Sequence, residues 1–506
     1  MAKYSEPEIH MHEFTGVDKV KFLLNRYIED YKKTKKNVLV YFDPDIDGLI
    51  SGVLVCKFLA RLGITFDWYI NSNRAHGFFI PRGKISNTNI INVDSAVQRE
   101  KIQWLLEEGC NIISLDHHIN EKYLIEEYNE KTDKYGVVVD NHYVTEPETG
   151  TYLSGAGVVF ETFICIDKDF NTRENRSLVG LTLLSDVCPI ENDNAHGYLY
   201  ELFNHPYRGY IKYLIDGVLP KRDYTFGVPR LDRNFVDYSF SPALNACFRF
   251  NKQDLCVNFS LGLASVDITC KDTQRDLVNE LIELAQVRHF SNVSFIRIDV
   301  RKIPKNEESL AYKYKDILSN FIGLVANKYL NSGRSAIAFL ITEEGTVGRG
   351  SFRGYCTGLD YLKELTKDHL IDGAGHESAF GILKIKPTKK NCEDINKRCK
   401  AVDDTLDRNK EDNIISISNM SSFLNGRAYK IAERNQFCLD QNRTYVRYKG
   451  SNIVENKKHD RFIQYYLDGV EVKCFDSSMS IEKDLVQPIL DRGKLVFYLK
   501  KAEEGL

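Results

Sequence analysis

The chain has 506 residues, with 68 Lys and Arg against 71 Asp and Glu, a formal net charge of −3, and 43% hydrophobic residues. That length exceeds one compact core and implies two to four domains, and the charge balance by itself does not designate a nucleic-acid binder. A polar start without an apolar stretch sets aside a signal peptide, no run of about 18 apolar residues sets aside a membrane span, and the chain reads as cytoplasmic.

The 12 cysteines form no CxxC pairs, so neither a zinc knuckle nor a disulfide framework is suggested. Residues 12–34 read as a helix, closing an N-terminal helical extension over 1–36. NVLVYF (37–42) reads as a buried strand running into the polar DPDIDG (43–48) and then an apolar helix. Strand, polar loop and helix make half of a βαβ unit. ITFDWYI (64–70), TNIINVDSA around Asp94, NIISLDHH ending at His118 and KYGVVVDNH around Asp140 repeat the theme. Polar residues thus gather beyond the C-terminal ends of several strands, the edge where open parallel sheets bind ligands. The expectation is a doubly wound α/β domain over 37–268 with a parallel sheet flanked by helices. SGAGVVFETFICI (154–166) and RSLVGLTLLSDVCPI (176–190) read as apolar helices within it.

A periodic helix over 269–290 links this domain to a smaller α/β region, 291–387. A charged stretch, 388–413, reads as a linker. The remainder, 414–506, has short alternating segments such as TYVRYKG and KLVFYLK and reads as a small β-rich module.

Asp43, Asp45 and Asp47 place three carboxylates in five residues. Such a cluster is costly without a cation, and alternate side chains of an extended loop share a face. A calcium loop would need Glu at its twelfth position, which counting from Asp43 is Leu54. Asp94, Asp116, His117 and Asp186 come from other segments. Carboxylates and imidazoles contributed by several strand ends suit paired Mn²⁺ or Mg²⁺ ions. Cysteines are expected to take no part in this cluster, which argues against a structural zinc site.

The order of these motifs resembles the DHH phosphoesterase superfamily, and within it the RecJ-like single-strand-specific exonucleases. DPDIDG resembles its first motif, NVD (92–94) its second, LDHH (115–118) its third and LLSDVCPI (183–190) its fourth. LSGAGVVFE (153–161) resembles the helix after the third motif. SPALNACFRF (241–250) resembles a segment reading P-R-x-N-A-x-G-R-[LF]; Ala243 and Phe248 depart from it. GRGSFRG (348–354) resembles a basic loop of the associated DHHA1 domain, and GAGHESAFG (373–381) its G-G-G-H-x-x-A-x-G motif.

The resemblance implies a two-metal phosphodiesterase with Mn²⁺ or Mg²⁺. In that scheme Asp45 binds the first ion, Asp47, His117 and Asp186 the second, and Asp94 bridges both. Asp43 is a ligand or lies beside one. Many relatives carry a histidine where this chain has Tyr41, so the first ion has one ligand fewer or uses Asp43. His118 and Asp116 join Asp94 as catalytic residues: His118 contacts the scissile phosphate, and Asp116 orients an imidazole. Asn245, Arg249, Arg349, Arg353 and His376 contact substrate. The implied substrate is single-stranded nucleic acid, DNA ahead of RNA, cut from the 5′ end. A replication or repair protein is the implied partner, with no membrane; the sequence leaves the oligomeric state open. Rival readings are a phosphodiesterase for oligonucleotides or cyclic dinucleotides, and a catalytically inactive nucleic-acid-binding protein.

Overall fold

The computed structural model describes residues 9, 14–71, 77–118, 126–141, 153–186, 188, 190, 193–205, 208–218, 231–265, 269–330, 334–356, 359–405, 414–426, 428–436, 443–458, 462–475, 479–481, 484–491 and 494–500. The chain divides into two units, Met1–Ile268 and Thr269–Leu506.

The first unit is built on six strands: β1 (Val38–Phe42), β2 (Phe66–Ile70), β3 (Asn89–Val93), β4 (Asn111–Asp116), β5 (Glu126–Asn129) and β6 (Lys134–Asp140). Their spatial order is β2-β1-β3-β4-β6-β5. All pairs are parallel except β5 with β6. Every residue of β4 is buried, as expected of a strand covered on both faces. The order reverses between β1 and β3. The chain first moves outward to β2, then returns to lay β3 on the other side of β1. That switch opens a crevice beyond the carboxyl ends of β1 and β3.

Helices cover the sheet. Residues Val17–Thr34 form α1, whose Val20, Leu23, Leu24 and Tyr27 are buried. The Tyr27 hydroxyl donates to the Ile90 carbonyl of β3 at 3.0 Å. The segment expected to be an N-terminal extension therefore contributes a packed layer, because its apolar residues recur on one helical face. Ile46–Arg61 form α2, buried over nearly its whole length. Arg99–Glu107 form α3, Gly155–Ile166 form α4 and Arg173–Ser185 form α5. Phe58 of α2 stacks on Phe163 of α4 with ring centroids 4.0 Å apart.

The second unit opens with the helix Thr269–Glu283. Its first sheet has the order β11-β12-β10-β9-β8-β7, from β7 (Gln286–His289), β8 (Val293–Asp299), β9 (Ser335–Ile341), β10 (Val347–Arg353), β11 (Ile371–His376) and β12 (Ala379–Ile385). Only β8 and β9 pair in parallel among the described strands of this sheet. Two expectations are corrected here. Residues 286–289, assigned to a linking helix, form an edge strand. Within the expected 388–413 linker, Lys389–Asp403 is a helix that drives Cys392, Ile395, Cys399 and Val402 into the core of this sheet. Its charges line the outer face and hide a helical apolar stripe.

The last region is a seven-stranded sheet in the order β13-β14-β18-β19-β17-β16-β15. Its strands are β13 (Ile414–Ile417), β14 (Tyr445–Tyr448), β15 (Ile453–Lys458), β16 (Ile463–Leu467), β17 (Val470–Cys474), β18 (Leu485–Asp491) and β19 (Lys494–Lys500). Val446, Leu467, Val472, Phe497 and Leu499 form its core. Among the described residues no helix is long and apolar enough to cross a membrane.

Candidate metal centre

The first carboxylates leave β1 directly. Proline at position 44 disfavours a helical conformation for Asp43 and so delays the helix by a turn. Asp45 becomes the N-cap of α2, its side chain accepting from the Gly48 N–H at 3.0 Å. Gly48 is required: a Cβ there would stand 2.5 Å from the Asp43 Cβ and 2.6 Å from its carbonyl oxygen. Asp43 is fully buried, and its Oδ1 accepts from the Gly77 N–H at 3.2 Å. Asp47 lies in the first turn of α2 and reaches the start of α4. Its Oδ2 accepts from Gly155 N–H at 2.6 Å and its Oδ1 from Ala156 N–H at 3.0 Å. Unpaired amides at a helix start hold an anion there.

Asp94 follows β3 in the left-handed conformation, φ 52°, which a short polar residue tolerates. Asn92 supports the bend by donating to the Ser95 carbonyl at 2.7 Å and to the Ser114 hydroxyl at 2.8 Å. The bend aims the Asp94 carboxylate at α4. Gly155 is the matching surface, since a Cβ there would lie 2.6 Å from Asp94 Oδ1.

Asp116 ends β4 fully buried, and its Oδ1 accepts from the backbone N–H of His117 at 2.8 Å and of His118 at 3.2 Å, and from His118 Nδ1 at 2.8 Å. Burial works against the Asp116 charge, but the His118 imidazolium, its hydrogen bonds and His117 outweigh burial and hold the carboxyl below its ordinary value. Burial likewise opposes the His118 charge, yet Asp116 and more distant carboxylates push its pKa up to about 10.

His117 turns the other way. Its Nδ1 lies 3.1 Å from the Leu153 carbonyl, an oxygen that can only accept. In the neutral ring Nε2 then carries the lone pair, as a metal-ligating histidine requires. Around Nε2 stand Asp94 Oδ1 at 3.1 Å, Asp186 Oδ2 at 3.7 Å and Asp47 Oδ2 at 3.8 Å. Asp186 is delivered by the end of α5, where its N–H bonds the Thr182 carbonyl.

These positions fit a divalent cation on two observations. Asp94 Oδ1 is buried and accepts no hydrogen bond, although Nε2 faces it at 3.1 Å. With a neutral ring, a lone pair opposed to a carboxylate at that distance is unfavourable until a cation lies beside both. Second, burial raises the Asp94 carboxyl well above its ordinary value, and Asp47, Asp45, Asp43 and Asp186 raise it further. Asp47 is raised in the same way, by burial first and then by Asp186 and Asp45. Only positive charge keeps such a cluster ionised. The ligand atoms fall into overlapping groups, Asp43 with Asp45 and Asp94, and Asp94 with His117 and His118, each within 4.8 Å.

A third such group is His117, Asp186 and Cys188, which sets a cysteine beside the cluster where none was expected. Cys188 Sγ lies 3.4 Å from Asp186 Oδ2. Its spacing two residues after Asp186 was the available signal. Gly155 and the Leu153 carbonyl were also missed, being backbone contributions.

The bonding of Tyr41 lies outside the cluster. Its buried hydroxyl donates to the Gly77 carbonyl and accepts from the Phe79 N–H, both at 3.0 Å. Asn245 and Arg249 sit one turn apart on the helix Ser241–Arg249, both half-buried. In the second unit GRGSFRG is a strand, β10, and not a loop. Arg349 is exposed there, while Arg353 Nη1 donates to the Ser351 hydroxyl and the Phe352 carbonyl, both at 2.7 Å. Arg353 and His376 each register with Ala379, so their backbones share one row of the sheet.

Residues 37–184 match the model of the DHH family, N-terminal domain. RecJ from Thermus thermophilus in complex with Mn²⁺ is similar in structure, with 17% identity and a TM-score of 0.64 over 98% of this chain and 72% of that one. The same protein in complex with Mg²⁺ gives 15% identity and a TM-score of 0.57 over 98% and 71%. No curated protein sequence matches the chain. Residues 37–184 thus carry the DHH-family N-terminal domain, within a fold similar to that of RecJ. The architecture is RecJ-like, with two further sheets following the sheet of that domain.

Proposed function

We propose that this chain is an exonuclease that hydrolyses single-stranded DNA in the 5′-to-3′ direction, using two Mn²⁺ or Mg²⁺ ions. The observation that carries the reading is His117 Nε2 facing the orphaned Asp94 Oδ1 within a ring of carboxylates, on a RecJ-like fold. Asp43, Asp45 and Asp94 would hold one ion, and Asp47, His117 and Asp186 the other, with Asp94 shared. Bound there, the ions would polarise phosphoryl oxygens and acidify water.

The chain's own residues supply the rest. The Leu153 carbonyl fixes the His117 tautomer. The start of α4 fixes both oxygens of Asp47. Asp116 holds His118 protonated and oriented through Nδ1, leaving Nε2 to donate to a non-bridging oxygen of the scissile phosphate. Asn245, Arg249, Arg349, Arg353 and His376 are assigned to the DNA backbone, where guanidinium groups pair with phosphate in bidentate fashion. A replication or repair protein is the proposed partner.

End-labelled single-stranded DNA, RNA, duplex DNA and a dinucleotide, offered side by side with Mn²⁺, test the reading. Mononucleotides released from the 5′ end of single-stranded DNA are expected. Cleavage confined to the dinucleotide would make the chain a short-substrate phosphodiesterase. No cleavage of any substrate would leave a binding protein.

A further inference from the structure

The DHH-type centre described above contains a donor that its proposed ligand set does not use. Cys188 is buried, 7% exposed, and its N–H is tied to the Leu183 carbonyl at 3.0 Å near the end of α5. That bond fixes the thiol beside Asp186. Sγ donates to Asp186 Oδ2 at 3.4 Å, and the same oxygen lies 3.7 Å from His117 Nε2. Ligands around a tetrahedral Zn²⁺ stand roughly 3.4–3.7 Å apart, given its bond lengths to nitrogen, oxygen and sulfur. The carboxylate thus stands at that spacing from both thiol and imidazole, and all three ligand atoms lie within 4.8 Å of one another.

We propose that Cys188 supplies a thiolate ligand at the His117–Asp186 position, so that the centre takes up thiophilic cations such as Zn²⁺ and Cd²⁺ ahead of Mn²⁺ and is inhibited by them. The inference rests on the two-metal reading of the same residues. On binding, the S–H bond breaks, the sulfur–metal bond forms and the proton passes to solvent. Mn²⁺ prefers oxygen and nitrogen donors and draws little from the sulfur, whereas Zn²⁺ and Cd²⁺ gain a soft ligand. An added sulfur ligand would occupy coordination that catalytic metal sites keep open for water or substrate. A thiol serving only as apolar filler has no reason to face a carboxylate.

The metal-free full-length chain is titrated with Co²⁺, a spectroscopic substitute for Zn²⁺, beside Cys188→Val and Cys188→Ser. Circular dichroism checks that each variant is folded, and calorimetry measures Zn²⁺ and Mn²⁺ affinities. The expected result is a thiolate-to-cobalt charge-transfer band in the parent chain that both variants lose. Zn²⁺ affinity should fall on the order of tenfold to a hundredfold in the variants, while Mn²⁺ affinity falls less than about threefold. Cobalt bound without the band, a band that survives in the variants, or unchanged Zn²⁺ affinity would overturn the role of Cys188 and leave the metal centre standing. No Co²⁺ binding at all would overturn both.

Discussion

Asp94 and Gly155 are in contact across the switch point: any Cβ at position 155 would lie 2.6 Å from Asp94 Oδ1 and 2.7 Å from its Cβ. Gly155 also donates the 2.6 Å hydrogen bond to Asp47. One glycine thus sets the spacing of two proposed ligands. Gly155→Ala should destabilise the fold by about 1–3 kcal/mol through overpacking. It should also weaken Mn²⁺ binding, because Asp94 must swing away from His117. Denaturant melts and metal calorimetry on the variant read both effects; unchanged affinity would show that Asp94 is not held by this contact.

Asp94→Asn separates stability from metal binding. In the metal-free chain the Asp94 carboxyl is buried among other carboxylates, so the neutral amide should raise the melting temperature in EDTA or leave it unchanged. With Mn²⁺ the order should reverse, since the parent gains stability by binding and the variant does not. Hydrolysis should fall more than about a hundredfold. A variant less stable than the parent in EDTA would mean that Asp94 is paired within the fold without any cation.

The Asp116–His118 pair makes a prediction about pH in the metal-free chain. The folded pKa of His118 is raised to about 10, against about 6.5 for a free imidazole. A raised folded value means that the pair's stabilisation is fully present below about pH 6.5 and is lost as pH rises towards the folded pKa. Imidazole resonances of His118, followed by NMR in EDTA, should stay in the protonated position through neutrality. Asp116→Asn should return the transition towards the ordinary range. A His118 transition near 6.5 in the parent chain contradicts the pairing.

Tyr41 stands where the resemblance implies a metal-binding histidine. Its hydroxyl instead bridges Gly77 and Phe79. Tyr41→Phe leaves the Gly77 and Phe79 partners short of one bond each and should cost about 1–3 kcal/mol. Mn²⁺ affinity should change little, because the hydroxyl is committed to backbone groups. A large loss of metal with unchanged stability would place Tyr41 among the ligands.

Much of the first sheet was legible. Buried runs such as VLVYF and NIISL, each leading into aspartate, announce parallel strands with polar residues at their carboxyl ends. The order of DPDIDG, NVD, DHH and SDVC pointed to the same superfamily as the domain match. Charge misled at Lys389–Asp403, where surface lysines and aspartates concealed a helix whose apolar stripe completes a core. Glycine misled at GRGSFRG, read as a loop although β10 continues through it.

Local sequence determined which groups could bind a cation, because carboxylate and imidazole chemistry belongs to the residue. It also determined the N-cap at Asp45 and the bend that Gly48 permits, which depend on near neighbours. Only the tertiary structure decided which oxygens remain for a metal. Asp47 is oriented by the start of α4, Asp116 is committed to its neighbouring histidine, and Asp94 Oδ1 accepts no hydrogen bond. Those partners come from segments up to 109 residues away in sequence. The same long-range packing brought Asp186 and Cys188, neighbours on one hydrogen-bonded turn, beside His117 from another strand, a distance that composition does not set.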